Sequence, residues 1–197
     1  SVIVGVLPLA TALVGALLHR QRPSAGFWAC AALGSALVVG FAVLRSGQSG
    51  LAIHPADLLL LAGMLSAAVG YGWGARLSQR MRAEHVICWA LVLSLPITLP
   101  LSAFTWPANE LHAKTWGAFA YVAVFSMWLG FFAWYRGLAT GGTVRVSQVQ
   151  LVQPFLGMLF AVPLLGEKLD AVTLGFAFAV IATVFIGKKM PVRAKAA

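Results

Sequence analysis

Charge is what this sequence has least of. Of 197 residues, 14 are Lys or Arg and 5 are Asp or Glu, so 10% are charged while 60% are hydrophobic. A soluble domain carries about a quarter charged residues, and the shortfall excludes an ordinary globular protein in favour of a membrane one. Acidic residues are scarcest, which leaves a net charge of +9. This excess does not indicate nucleic acid, because the basic residues lie between apolar segments and not along one face or in a basic arm. Cysteine is limited to Cys30 and Cys88, both inside apolar segments without CxxC spacing. They read as small buried hydrophobes, not as a disulfide or metal ligands.

Other absences narrow the chemistry. No Lys lies within an apolar segment, which excludes a retinal-type Schiff base. His19, His54, His85 and His112 all fall at segment ends or in loops, so no buried His ligand set is indicated. No Ser-His or Asp-Asp pair is buried at catalytic spacing, and an intramembrane hydrolase has no foundation. A GKS/T phosphate loop is missing, which removes ATP as a direct driver. No carboxylate lies mid-segment, so a proton relay would need groups from elsewhere. The reading is therefore of a protein that is not an enzyme and needs no cofactor or metal. The chain opens Ser1-Val2-Ile3-Val4, without an initiator Met or a basic n-region. The expectation is that it lacks a signal peptide and begins inside a larger protein.

What is present is apolar length. Seven segments, approximately Val2–Leu18, Gly26–Leu44, Leu58–Ala75, Val86–Trp106, Thr115–Tyr135, Val146–Leu165 and Ala171–Gly187, are each near the ~20 residues that span a bilayer as a helix. They are too long for strands and lack the alternation of a membrane barrel. The fold class is all-α, a polytopic transmembrane helix bundle with short polar connections. Basic residues set its orientation: Arg20 and Arg22, Arg76 to Arg82, Arg136 and Arg145, and Lys188 to Lys195 follow alternate segments. The opposite loops hold Arg45, Lys114 and Lys168 among most of the acids. By the positive-inside rule the C-terminus is cytoplasmic, and Glu110 and Glu167 face outward.

The stretch Gln148–Asp170 stands out because Pro154 interrupts an apolar segment beside Gln150 and Gln153. A proline within a helix cannot donate its hydrogen bond, so the Gln150 carbonyl is expected to be free. An offset of 146 residues sets Pro8 on Pro154, Leu18 on Leu164, Arg22 on Lys168 and Ala25 on Ala171. The two stretches lie an odd number of crossings apart and so run in opposite directions. Proline-interrupted segments at corresponding places in two halves point to a transporter's binding site.

The pattern of Pro154, then Leu164-Leu165-Gly166-Glu167-Lys168-Leu169, then a Gly175-bearing helix ending in Lys188-Lys189, resembles the EamA repeat of the drug/metabolite transporter superfamily. The stretch from Pro8 to Ser24 is similar, with Gln21 where the family usually shows the Glu that Glu167 matches. The resemblance implies ten helices in two inverted five-helix units. Residues 1–44 would then be the last two helices of the first unit, 56–189 the whole second unit, and 190–197 a basic cytoplasmic tail. It further implies a secondary transporter of the bacterial inner membrane, exporting small metabolites such as amino acids or drug-like solutes.

Candidate residues on the solute path are Gln150, Gln153 and Pro154, because amides in hydrocarbon need partners or a wet cavity. Tyr71 and Trp128 are deeper aromatics that suit a cavity wall. Glu167 and Gln21 mark the repeat turn, where Glu167 either gates the outer mouth or caps the next helix. Trp73, Tyr135, Trp106 and Trp116 fit interfacial belts. Small-residue stripes at Gly63, Ala67, Gly70 and Gly74, and at Ser126, Gly130, Ala133 and Gly137, suit close helix contact. Those stripes fit equally well with a non-transporting membrane scaffold or assembly protein.

Overall fold

The computed structural model describes residues 5–46, 55–107, 112–166 and 170–194. Its elements are α1 (Leu7–Leu18), β1 (Gln21–Pro23), α2 (Ala25–Ser46), α3 (Pro55–Leu77), α4 (Ala83–Phe104), α5 (Ala113–Tyr121), α6 (Gly130–Gly141), α7 (Thr143–Val146), α8 (Gln153–Leu165), α9 (Ala171–Lys189) and β2 (Val192–Ala194). A π-helical stretch, Val122–Leu129, fuses α5 to α6 into one 29-residue span. A 3-10 stretch, Ser147–Val152, joins α7 to α8. Six helices are long and apolar enough to cross a membrane, and the shorter Leu7–Leu18 is a seventh apolar helix. The all-α bundle read from the sequence is the observed architecture.

The chain forms two compact units. One comprises residues 1–73 and 141–197, the other Gly74–Thr140. In the first, α2 lies along α9, and α1 packs on α7 and the 3-10 stretch. Ala12, Ala16, Phe27, Ala31 and Val144 make one buried cluster; Val38, Phe41, Leu151, Phe155 and Val180 make another. Between membrane helices such contacts act through van der Waals packing, since lipid tails are as apolar as the side chains they replace. Elsewhere large apolar side chains are left facing outward: Leu93, Ile97 and Phe104 of α4 are 71%, 73% and 89% exposed. In water that surface would be untenable; in a bilayer it is the solvent contact.

Two polar contacts fix helix directions within the first unit. β1 pairs antiparallel with β2, Gln21 opposite Ala194, which brings the C-terminal ends of α1 and α9 together. At the other end Arg45, closing α2, meets Asp170, the N-cap of α9, at 2.6 Å. Hence α2 runs antiparallel to α9 and α1 runs parallel to it. α8 ends at Gly166, at the Asp170 end, and so opposes α1. The tail expected over 190–197 is thus not wholly a solvated run, because Val192–Ala194 is a strand; residues 195–197 lie outside the described residues.

The second unit corrects one expectation. Tyr135 is 7% exposed and not an interfacial anchor. Its ring lies over Gly74, where a Cβ would come within 2.1 Å of Cε1, and 5.6 Å from the Phe131 ring. A glycine on one helix makes room for an aromatic ring from another. Gly63, earlier in the same stripe, has nothing within 4 Å of its Cβ position. Trp106 and Trp116 are exposed, and their ring centres lie 6.1 Å apart.

Candidate functional site

The 146-residue offset seen in the sequence reappears in the backbone. α1 and α8 both carry proline as their second residue, Pro8 and Pro154, and each is preceded by 3-10 turn, Gly5–Val6 and Ser147–Val152. Beyond each helix the chain enters the left-handed region, at Arg20 (φ 49°) and at Gly166 (φ 70°). α2 and α9 then begin at Ala25 and Ala171, each capped by the preceding side chain. Ser24 Oγ accepts from the Phe27 N–H at 3.3 Å, and Asp170 Oδ1 accepts from the Thr173 N–H at 3.1 Å. Every one of these pairs is separated by the same 146 positions. A single accident of composition does not reproduce a turn, a proline, a left-handed residue and a capped start in order.

The proline acts differently from expectation. In the first turn of a helix its missing N–H has no carbonyl to serve, so it is tolerated without a kink. The Gln150 carbonyl is not free, because the Gln153 N–H donates to it across the tighter 3-10 turn. Six residues is long for a 3-10 run; such stretches inside a helical span often mark hinges.

Both proline turns line one cavity of about 450 Å³. Pro8 and Pro154 contribute, with Gln150 and Gln153 as its amides and Val38, Phe41 and Met158 among its apolar wall. This is within the size range of small-molecule sites. The Gln150 Oε1 is buried with no hydrogen-bond partner, whereas Gln153 is exposed. Phe41 packs on Phe155 and Phe176, and the Arg45 guanidinium sits 5.6 Å from its ring centre. No charged side chain is among the lining residues.

Three candidate residues stand elsewhere. Tyr71 lies on α3 and Trp128 in the π-helical stretch of the other unit, where its Nε1–H donates to Cys88 Sγ at 3.4 Å. Neither lines the cavity. Gln21 is in β1; Glu167 lies outside the described residues. The N-terminus of α9 is capped by Asp170, whose carboxylate also bonds the Thr173 hydroxyl and Arg45. Those hydrogen bonds, the hydroxyl's foremost, hold the Asp170 carboxyl below its ordinary value.

Sequence reasoning passed over Gln148. It is 5% exposed, and its Nε2 donates to the Pro8 carbonyl at 3.3 Å and to Ser147 Oγ at 3.4 Å. The signal was available in a third amide on the same stretch, two residues before Gln150.

A set of apolar spans, with oppositely directed helices bringing two proline turns to one uncharged cavity, defines a polytopic integral membrane protein. Residues 54–187 match the EamA-like transporter family, and the chain belongs to that family. It is 44% identical over 192 residues to the uncharacterized transporter YdeK of Bacillus subtilis (strain 168), covering 95% of this chain and 65% of that relative. An uncharacterized transporter of Haemophilus influenzae (strain ATCC 51907 / DSM 11121 / KW20 / Rd) is 26% identical over 140 residues, 70% of this chain and 82% of that protein. The chain therefore spans a little under two thirds of the length of the Bacillus relative. No solved structure matches it significantly.

Proposed function

We propose that the protein is part of a secondary transporter that moves a small solute by alternating access, with the cavity between α1, α2, the 3-10 stretch and α8 on the solute path. The observation that carries this reading is the convergence of Pro8 and Pro154 on one cavity, each at the same point of oppositely directed helices. Inverted elements of equal stability give two arrangements of nearly equal energy, which rocking between inward and outward states requires. Residues 1–44 and 56–189 are read as portions of two such units. The 3-10 stretch supplies the hinge, and the unpartnered Gln150 oxygen supplies a group that gains a partner when the stretch shifts or a solute donor approaches. An unserved buried acceptor costs roughly 1–3 kcal/mol, enough to bias such a shift.

The basic loops support a cytoplasmic C-terminus, and export from the bacterial plasma membrane is the direction inferred from family resemblance. The test is reconstitution of the full-length protein in liposomes loaded with a radiolabelled amino-acid and metabolite pool. Solute-dependent efflux that Met158→Trp abolishes, while the variant stays folded and inserted, is the expected result. Absence of flux for every pool, or flux indifferent to filling the cavity, would defeat the proposal.

A further inference from the structure

The cavity between α1, α2, the 3-10 stretch and α8 limits the chemistry it can hold. Its described lining carries no charged side chain, and a charge buried without a partner is strongly disfavoured against water. Two groups beside it could receive an ion, and both are already engaged. The Arg45 guanidinium, which would attract an anion, donates to Asp170 Oδ1 and to Thr173 Oγ1, each at 2.6 Å. The Phe41 ring, which would attract a cation, already has that guanidinium 5.6 Å from its centre. A carboxylate would have to displace Asp170, the cap of α9, and an ammonium would meet Arg45 across the ring. What remains for a solute is apolar wall and carboxamide. Phe41, Leu151 and Met158 supply the first, Gln150 and Gln153 the second. The third amide of the stretch, Gln148, is committed to the Pro8 carbonyl and to Ser147. Gln153 is exposed, and the Gln150 Oε1 is buried without a partner, so this oxygen gives up no bond when its carboxamide turns toward a donor. An acceptor already stripped of water gains most of a hydrogen bond when a donor arrives.

We propose that the cavity selects an uncharged solute, with an apolar body against Phe41 and Met158 and an N–H or O–H group donating to the carboxamide oxygens of Gln150 and Gln153. The inference rests on the reading of this cavity as the solute path, and it names the class of solute that the path admits. Carboxylates, phosphates and ammonium ions are rejected for want of a free counter-charge. A neutral amide or alcohol on an apolar frame meets partners for both of its parts.

The test measures binding and flux separately on the full-length protein. Benzamide, N,N-dimethylbenzamide, benzoate and benzylammonium share one ring and differ in donor and charge. Each is titrated calorimetrically at neutral pH into protein in detergent micelles, with protein-free micelles and the Met158→Trp variant, whose cavity is filled, as blanks. Benzamide should bind about tenfold more tightly than its dimethyl derivative, the worth of one hydrogen bond, and at least about a hundredfold more tightly than either ion. In Gln150→Leu/Gln153→Leu the preference for benzamide over the dimethyl derivative should fall to within about twofold. The dimethyl derivative should still bind that variant, which a misfolded protein would not allow. Equal or tighter binding of either ion would overturn the proposal, as would a benzamide preference unchanged in the double variant, or no binding of any of the four. Metabolite flux that Met158→Trp abolishes, found together with tight binding of an ion, would overturn the solute class and leave the transport reading standing. Selective benzamide binding without flux of any pool would uphold the class of ligand and count against transport.

Discussion

Gln148 donates from Nε2 to the backbone carbonyl of Pro8 at 3.3 Å, tying the start of the 3-10 stretch to the first turn of α1. The contact joins one proline turn to the helix that bears the other, 140 residues away in sequence. Gln148→Leu leaves the Pro8 carbonyl without that donor in an apolar setting. The expected loss is about 1–2 kcal/mol, seen as a lowered melting temperature in detergent. An unchanged melting temperature would show that the contact carries no net stability.

Pro154→Ala tests what the proline does. Because it lies in the first turn of α8 and the Gln150 carbonyl already has the Gln153 N–H, substitution should alter stability by less than about 1 kcal/mol. If the 3-10 stretch is the hinge, transport should nevertheless fall, since alanine permits the α-helix to extend backward and lock the turn. Helicity, melting temperature and flux measured on the same preparation separate these effects.

Gly74→Ala and Gly63→Ala make a matched pair on α3. At Gly74 the new methyl would overlap the Tyr135 ring, with an expected cost of about 1–3 kcal/mol. At Gly63 nothing lies within 4 Å, so the change should be neutral or slightly stabilising through helix propensity. Tyr135→Leu should relieve part of the Gly74→Ala penalty, which a double-mutant cycle in thermal unfolding would read.

Asp170 gives a pH dependence. Its carboxyl is held below the ordinary 3.8 by the Thr173 hydroxyl first, then the Thr173 N–H, with a contribution from Arg45. A depressed folded value means that this stability is fully present above pH 3.8 and is lost as the pH falls below it toward the folded value. Asp170→Asn should therefore flatten the acid limb of a melting-temperature profile without changing its neutral shape. A mutant profile that still falls like the wild type would assign the acid sensitivity to another group.

Orientation is tested by single cysteines at Gln79 and His112 in a Cys30→Ala/Cys88→Ser background, the serine preserving an acceptor for Trp128. A membrane-impermeant maleimide applied to intact cells should label position 112 and spare position 79. The reverse pattern would invert the topology drawn from the basic loops.

The helices were legible because hydropathy and length alone specify a span, and the observed ends of α2, α4 and α9 fall within a few residues of the segments read from sequence. The proline pair was legible as a coincidence of spacing, but its conformation was not. A 3-10 turn and a kinked α-helix place the same side chains in nearly the same order, and only the bond from Gln153 to Gln150 distinguishes them. The π-helical stretch VAVFSMWL has no compositional mark at all. Gln148 was hidden for another reason: its partner is a backbone carbonyl, which any residue at that position would have supplied. The β ribbon was invisible because two three-residue segments at opposite ends of the chain carry no alternation to match.

That ribbon also constrains when the molecule can be finished. Its first strand is made about 170 residues before its second, and residues 192–194 follow only after α9 is complete. The unit containing both strands is assembled from two separated stretches, 1–73 and 141–197, while Gly74–Thr140 is one continuous stretch. The continuous unit can close its contacts during synthesis, whereas the other stays incomplete until α9 arrives. During that interval β1 has an unpaired edge, so a chain stalled or cut before Val192 should reach the membrane with most of its spans in place and its final seam open.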